Sequence, residues 1–165
     1  MTLLRRIDRV AARWERRTAV ALLAVTVAIV ILQVFFRYVL NSSLSWSEEA
    51  ARYLFIWASV LGFSSCVEAG RLFRFEMLAA HLPPAGQRVC TALYVGAAAA
   101  FVGVLIVNGS MLAWHTMSQV SPAIGLPMAA AYAALPAGGV LMGLHFLARI
   151  GERRGDVADA TALSR

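Results

Sequence analysis

Lysine is absent from this chain of 165 residues, and charged residues of any kind make up only 15% of it. All fifteen cations are therefore arginines, and the formal net charge is +6. Hydrophobic residues make up 60%, well above the roughly 45–50% of ordinary soluble domains. A soluble chain of this length has too little interior to bury so much apolar surface. The composition therefore indicates a membrane protein and argues against a nucleic-acid-binding domain.

Motifs for catalysis and metal binding are also scarce. Two cysteines, Cys66 and Cys90, offer neither a disulfide framework nor the spacing of a metal site. Nucleophile-elbow, zinc-protease and phosphate-loop motifs do not occur in the sequence. The histidines fall in three separate segments without the matched pairs that hold haem, so a structural role is expected for His81, His115 and His145. We predict a protein that is not an enzyme and holds no cofactor or metal.

Four apolar runs dominate the chain, and a hydrocarbon core about 30 Å thick requires about 20 helical residues. The second run, Tyr53 to Val67, is long enough only if its helix begins near Trp46 and Arg52 extends toward the interface. Four isolated strands do not close a barrel, so helices are the only spanning structure available. Turn-forming sequences divide the runs at Asn41-Ser42-Ser43, Leu82-Pro83-Pro84 and Ser121-Pro122. The predicted fold class is an all-α membrane protein with four transmembrane helices, at about residues 18–40, 46–68, 85–114 and 127–149.

The arginines predict the orientation of these helices. Thirteen of them lie before the first run, between the second and third, or after the fourth, and only Arg37 and Arg52 lie in the other two connections. The positive-inside rule then places both termini in the cytoplasm. The first run is too long for the apolar region of a signal peptide, and Arg37-Tyr38 follows it in place of a cleavage site, so we expect it to be retained.

The two terminal segments differ in pattern. In residues 1–17, apolar side chains that end in Trp14 follow one helical face and arginines follow the other. This pattern predicts an amphipathic helix lying in the membrane plane against anionic lipid. Residues 150–165 have no such periodicity and are expected to form a disordered cytoplasmic tail.

Uncharged polar groups interrupt the runs only sparsely. Transporters generally place ionisable groups near the membrane midplane, and their absence from the middle of all four runs argues against a carrier. Asn108 is a candidate for an interhelical hydrogen bond, whereas Ser64 and Ser65 can form hydrogen bonds to their own helix.

Pro136 indicates a kink in the fourth helix rather than a discontinuous helix. Small residues that permit close helix contact are expected at Gly96, Gly139 and Gly143.

Residues 37–57 concentrate charged and aromatic side chains at the ends of the first two helices. Ser45 and Glu48 have the spacing of a capping box, which places the start of the second helix at Ser45 or Ser47. One interpretation is a hairpin stapled by a Glu48–Arg52 pair. The sharper interpretation is a docking surface for another membrane protein, formed by Arg37, Tyr38, Trp46, Glu48, Glu49, Arg52 and Trp57.

Two stretches resemble a known family. The run FRYVLNSSLSWSEEAARYLFIWASVLG, from Phe36 to Gly62, resembles the signature of the small, Q-type membrane subunit of tripartite ATP-independent periplasmic (TRAP) transporters. The run QVSPAIGLPMAAAYAALPAGGVLMGLH, from Gln119 to His145, resembles the family's fourth helix with the loop before it. One departure is that Leu72 and Glu76 stand where family members often carry histidine and aspartate.

The resemblance implies a non-catalytic accessory subunit of a carboxylate importer in the bacterial inner membrane. In this family a large membrane subunit carries the substrate and sodium sites, and a periplasmic binding protein delivers the substrate. The expected partners are the large subunit, the binding protein through the complex, and anionic lipid. Two alternatives stay open. A stand-alone small exporter requires an acidic residue within the first membrane helix, and a membrane anchor of a respiratory enzyme predicts haem.

Overall fold

The computed structural model describes residues 2–68 and 83–163. These residues form five α-helices, which are α1 (Thr2–Tyr38), α2 (Ser45–Glu68), α3 (Pro84–His115), α4 (Ala129–Tyr132) and α5 (Ala134–Leu163). Four stretches are long and apolar enough to cross a membrane, namely Arg6–Tyr38, Ser45–Glu68, Val89–His115 and Ala129–Arg149. The predicted all-α membrane fold with four spanning helices is confirmed. The family departure at Leu72 and Glu76 lies outside the described residues, as does His81.

The long helices lie side by side in the order α1, α2, α5, α3. α2 packs against both α1 and α5, and α5 packs against α3. We compared how many residues are buried in the most apolar 18-residue stretch of each span. The buried fraction is 22% in α2 and 33% in the span that contains α5, but only 6% in α1 and 0% in α3. α1 and α3 are therefore edge helices that present most of their surface to lipid or to another protein.

The helix starts follow from local chemistry. α2 begins at Ser45, one of the two positions predicted, and the Ser47 hydroxyl donates to the Leu44 carbonyl oxygen at 2.7 Å. α3 begins at Pro84 after an extended Pro83 (φ −62°, ψ 159°). Proline suits this first helical position because the N–H that it lacks would have no partner in the helix.

α4 and α5 together form one span with an irregularity at Ala133. Ala133 keeps right-handed helical dihedrals (φ −59°, ψ −19°), and its N–H donates to the Ala129 carbonyl at 2.8 Å. Pro136 has no N–H to donate to the Tyr132 carbonyl, which weakens the helical hydrogen bonding at this point. The irregularity therefore follows from the proline, without an unwound segment between two separated half-helices.

Both ends of the described chain are helical. α1 is one uninterrupted helix that includes the basic segment, and the placement of this segment in the membrane plane stays a prediction. Ala12 and Glu15 of this segment are buried, and Glu15 contacts His145 of α5. At the other end α5 continues to Leu163, whereas the sequence pattern predicted a disordered tail. Extending an existing helix carries no nucleation cost.

Small residues allow α3 and α5 to approach closely. A Cβ atom built on Gly139 would lie 2.8 Å from Ile106 Cγ1, and one on Gly143 would lie 3.4 Å from Val102 Cγ1. On the α3 side the glycine in this contact is Gly109. A Cβ atom on Gly96 would meet no described atom within 4 Å, so Gly96 takes no part in the contact within this chain.

Candidate functional site

The loop between α3 and α4, residues 116–128, is held by its own backbone. The Ser121 N–H donates to the Leu126 carbonyl at 2.9 Å, and the Gly125 N–H donates to the Ser121 carbonyl at 3.0 Å. Gly125 has φ +74°, a left-handed conformation that glycine adopts without steric cost. The loop is therefore a defined structural unit beside the start of α2.

Glu49, in the first turns of α2, binds this loop. Its Oε2 atom accepts hydrogen bonds from the backbone N–H groups of Ala123 (3.0 Å) and Ile124 (3.1 Å). Bonds from neutral donors to a carboxylate are stronger than bonds between neutral groups. Within this chain Glu49 therefore joins two segments that are more than 70 residues apart in sequence.

Trp57 lies two turns after Glu49 on the same face of α2 and binds α4. Its indole N–H donates to the Ala130 carbonyl oxygen at 2.9 Å. Carbonyl groups near the end of a short helix lack part of their usual intrahelical partners. We call Glu49, Trp57 and the loop 116–128 the Glu49 cluster, and it positions the start of the fourth span.

The other five residues predicted for docking lie outside this cluster. Glu48 and Arg52 are 3.7 Å apart, and their side chains are 74% and 65% exposed. Arg37, Tyr38 and Trp46 are also exposed. The structure thus divides the predicted surface into two residues that contact the chain's own loop and α4 and five that face outward.

A second polar cluster, at the opposite end of the spans, was not predicted from the sequence. His145 of α5 is fully buried. Its Nδ1 atom is 2.6 Å from Asp8 Oδ1, and its Nε2 atom is 3.0 Å from Glu15 Oε1. One signal in the sequence was available, because Asp8 and Glu15 are the two acids among six arginines and are spaced to share a helical face.

Polar side-chain contacts join α1 to α5 at this point. We call the residues that make them, His145, Asp8 and Glu15, the His145 cluster. A neutral imidazole has one donor and one acceptor nitrogen. Both contacts are therefore hydrogen bonds when the ring carries two protons or when one carboxyl group is protonated. Across residues 2–68 and 83–163, no group of three histidine, cysteine, aspartate or glutamate side chains is arranged to hold a metal ion.

The interior also contains an apolar cavity. A cavity of about 270 Å³ lies among α2, α3 and α5, and no charged side chain lines it. Its walls include Phe63, Phe101, Met142 and Phe146. The buried Ser64 hydroxyl has no hydrogen-bond partner among the described residues, contrary to the expected bond to its own helix. The cavity offers no charged group to bind a carboxylate.

The fold and both clusters define a multi-pass membrane protein whose polar contacts hold its own helices together. The family of tripartite ATP-independent periplasmic transporters, DctQ component, matches residues 26–155. The chain belongs to this family, which confirms the resemblance seen in the sequence. It is a small TRAP permease subunit in the bacterial inner membrane.

Two relatives agree with this assignment. The chain is similar to a Haemophilus influenzae protein named as a TRAP transporter small permease, with 30% identity over 132 residues, 79% of this chain and 81% of that protein. It is also similar to the C4-dicarboxylate TRAP transporter small permease protein DctQ of Rhodobacter capsulatus, with 32% identity over 107 residues. That match covers 64% of this chain and 47% of the relative.

Proposed function

We propose that this chain is a non-catalytic subunit that supports the large membrane subunit during sodium-coupled uptake of a carboxylate delivered by a periplasmic binding protein. The observation that carries the proposal is the exposure of the edge helices. In their most apolar stretches, only 6% of the residues of α1 and 0% of those of α3 are buried. Such helices gain packing and hydrogen bonds when another membrane protein lies against them.

A transport site within this chain is not supported by its chemistry. In the described spans the charged residues lie toward the ends, where they pair with one another, bind the chain's own loop as Glu49 does, or face outward. Carriers generally bind substrate and ion near the midplane with polar or ionisable groups. We therefore assign substrate and ion binding to the other subunits, and take the carboxylate class from the family and from the name of the Rhodobacter relative.

The alternatives receive less support from the structure. An exporter requires an acidic residue within the first membrane helix, but the acids of α1 are Asp8 and Glu15, and both contact His145. A haem anchor requires a matched pair of free histidines, and His145 is occupied by these carboxylates.

Uptake assays distinguish the accessory subunit from a stand-alone transporter. Proteoliposomes with all three components should take up a C4-dicarboxylate under a sodium gradient, and this chain alone should take up none. Uptake by the isolated chain would contradict the proposal.

We propose that both termini are cytoplasmic, because of the arginine bias. The start of α2 and the loop 116–128 then face the periplasm. Alkaline phosphatase fused after Ser43 should be active, and the same enzyme fused after Arg165 should be inactive. The reverse result would invert the orientation.

Two surfaces are proposed to contact partners. The five outward residues Arg37, Tyr38, Trp46, Glu48 and Arg52 are assigned to docking of the large subunit, and Gly96 leaves room for a second helix to approach. The exposed Trp14 and the neighbouring arginines are assigned to anionic lipid. Trp46→Ala should reduce co-purification of the large subunit without reducing membrane abundance. Unchanged co-purification would remove Trp46 from the docking surface.

A further inference from the structure

Asn108 lies inside the third membrane span, Val89–His115, seven residues before the end of that span. A helix rises 1.5 Å per residue, so Asn108 is about 10 Å along α3 from that end. Its neighbour Ile106 contacts α5 at Gly139. The carboxamide of Asn108 therefore lies among the membrane-spanning helices rather than at their ends.

The Asn108 side chain points away from its own chain. Asn108 is exposed, and no hydrogen bond joins its carboxamide to another described residue. The interhelical bond that the sequence predicted is thus not made within this subunit. Ser110, also exposed on α3, is different because its hydroxyl donates to the Ile106 carbonyl at 2.6 Å.

The surroundings of Asn108 form an uncovered apolar face. Val104 and Met111 each lie one turn from Asn108, and the exposed fraction of each is 54%. We call these three residues the Asn108 face. Lipid tails can cover its apolar part, but they cannot bond to a carboxamide, and an unpaired polar group in hydrocarbon is costly.

We propose that the Asn108 face is covered by a transmembrane helix of the large subunit, which supplies a hydrogen-bond partner for the Asn108 carboxamide. Asparagine side chains in membrane helices form hydrogen bonds across helix interfaces. In addition, no residue in the most apolar stretch of α3 is buried within this chain. This inference rests on the proposed function, which supplies the large subunit.

Replacing Asn108 tests the hydrogen bond. Asn108→Leu removes the carboxamide, keeps a similar size and favours membrane insertion. Ser110→Ala is the matched control, because it removes an exposed hydroxyl of α3 that is satisfied within its own helix. We expect Asn108→Leu to lower co-purification of the large subunit about three- to tenfold at equal membrane abundance, with Ser110→Ala unchanged. Equal co-purification in both variants would overturn the inference.

A photo-crosslinking residue in place of Val104, one turn from Asn108, identifies what covers the face. A product containing both the small and the large subunit supports the inference. A product containing two small subunits, or no product with the large subunit, overturns it. If the unmodified chain itself fails to co-purify with the large subunit, the proposed function fails as well, so the two failures are distinguishable.

Discussion

The Glu49 cluster and the His145 cluster lie at opposite ends of the membrane spans, and their charged groups have different kinds of partner. Glu49 accepts hydrogen bonds from backbone N–H groups of a loop. His145 is fully buried and lies between two carboxylates of one neighbouring helix. The first arrangement fixes a connection between spans, and the second joins two helices directly. Because buried charges depend on their partners far more than exposed ones do, the two ends should respond differently to substitution.

The largest effect is expected at the His145 cluster. His145→Leu leaves the carboxylates of Asp8 and Glu15 without their donor, and removal of one partner from a buried charged set costs about 3–5 kcal/mol. The free energy of unfolding in detergent micelles, or the melting temperature, measures the loss. His115→Leu is the control, since His115 is exposed. Equal stability of the two variants would show that the His145 contacts contribute little.

A local effect is expected at Glu49. Glu49→Ala removes the acceptor of two backbone N–H groups, so hydrogen exchange of Ala123 and Ile124 should become severalfold faster. The control is Glu48→Ala, which changes the neighbouring carboxylate but leaves the loop contacts in place. If exchange in the loop is the same in both variants, Glu49 does not order the loop, and its assignment returns to the outward docking surface.

A smaller effect is expected at Trp57. Trp57→Phe keeps an aromatic ring but removes the N–H that binds the Ala130 carbonyl, and a single hydrogen bond contributes about 1 kcal/mol. Thermal unfolding in detergent measures the change, and Trp46→Phe serves as the control because Trp46 is outward and exposed. A larger loss from Trp46→Phe would contradict the division of the predicted surface into inner and outer residues.

The smallest effect is expected for the exposed pair of Glu48 and Arg52. Arg52→Ala should change the free energy of unfolding by only about 0.2–0.5 kcal/mol, because both side chains remain largely in contact with solvent. The same variant should reduce co-purification of the large subunit if the outward residues dock it. A fall in both stability and membrane abundance would instead assign the pair to folding of the hairpin.

Contacts between residues that are close in the sequence could be predicted without a structure. The start of α2 and the Glu48–Arg52 pair follow from the spacing of three or four residues that one helical turn imposes. The four spans follow from the length and composition of the apolar runs. The Pro136 irregularity follows from the missing N–H. Each of these features depends on interactions within a single segment.

Contacts between segments that are distant in the sequence could not be predicted in the same way. Glu49 was predicted to belong to a docking surface, which stays a prediction, whereas its contacts with Ala123 and Ile124, more than 70 residues away in sequence, were not predicted. A backbone N–H has no residue-specific signature, so no motif marks these partners. His145 was assigned a structural role without partners, because its carboxylates lie on α1, at a separation of more than 120 residues.

The sequence by itself determined the class of protein, the number of spans and the family, since these depend on composition, local periodicity and two long motifs. The tertiary structure decided the lateral order of the helices and therefore which polar side chains meet. It brought Asp8 and Glu15 of α1 against His145 of α5. It also left Asn108 facing outward on an edge helix. The physical reason is that hydropathy sets whether a segment crosses the membrane, whereas the partner of each side chain depends on how the helices pack together.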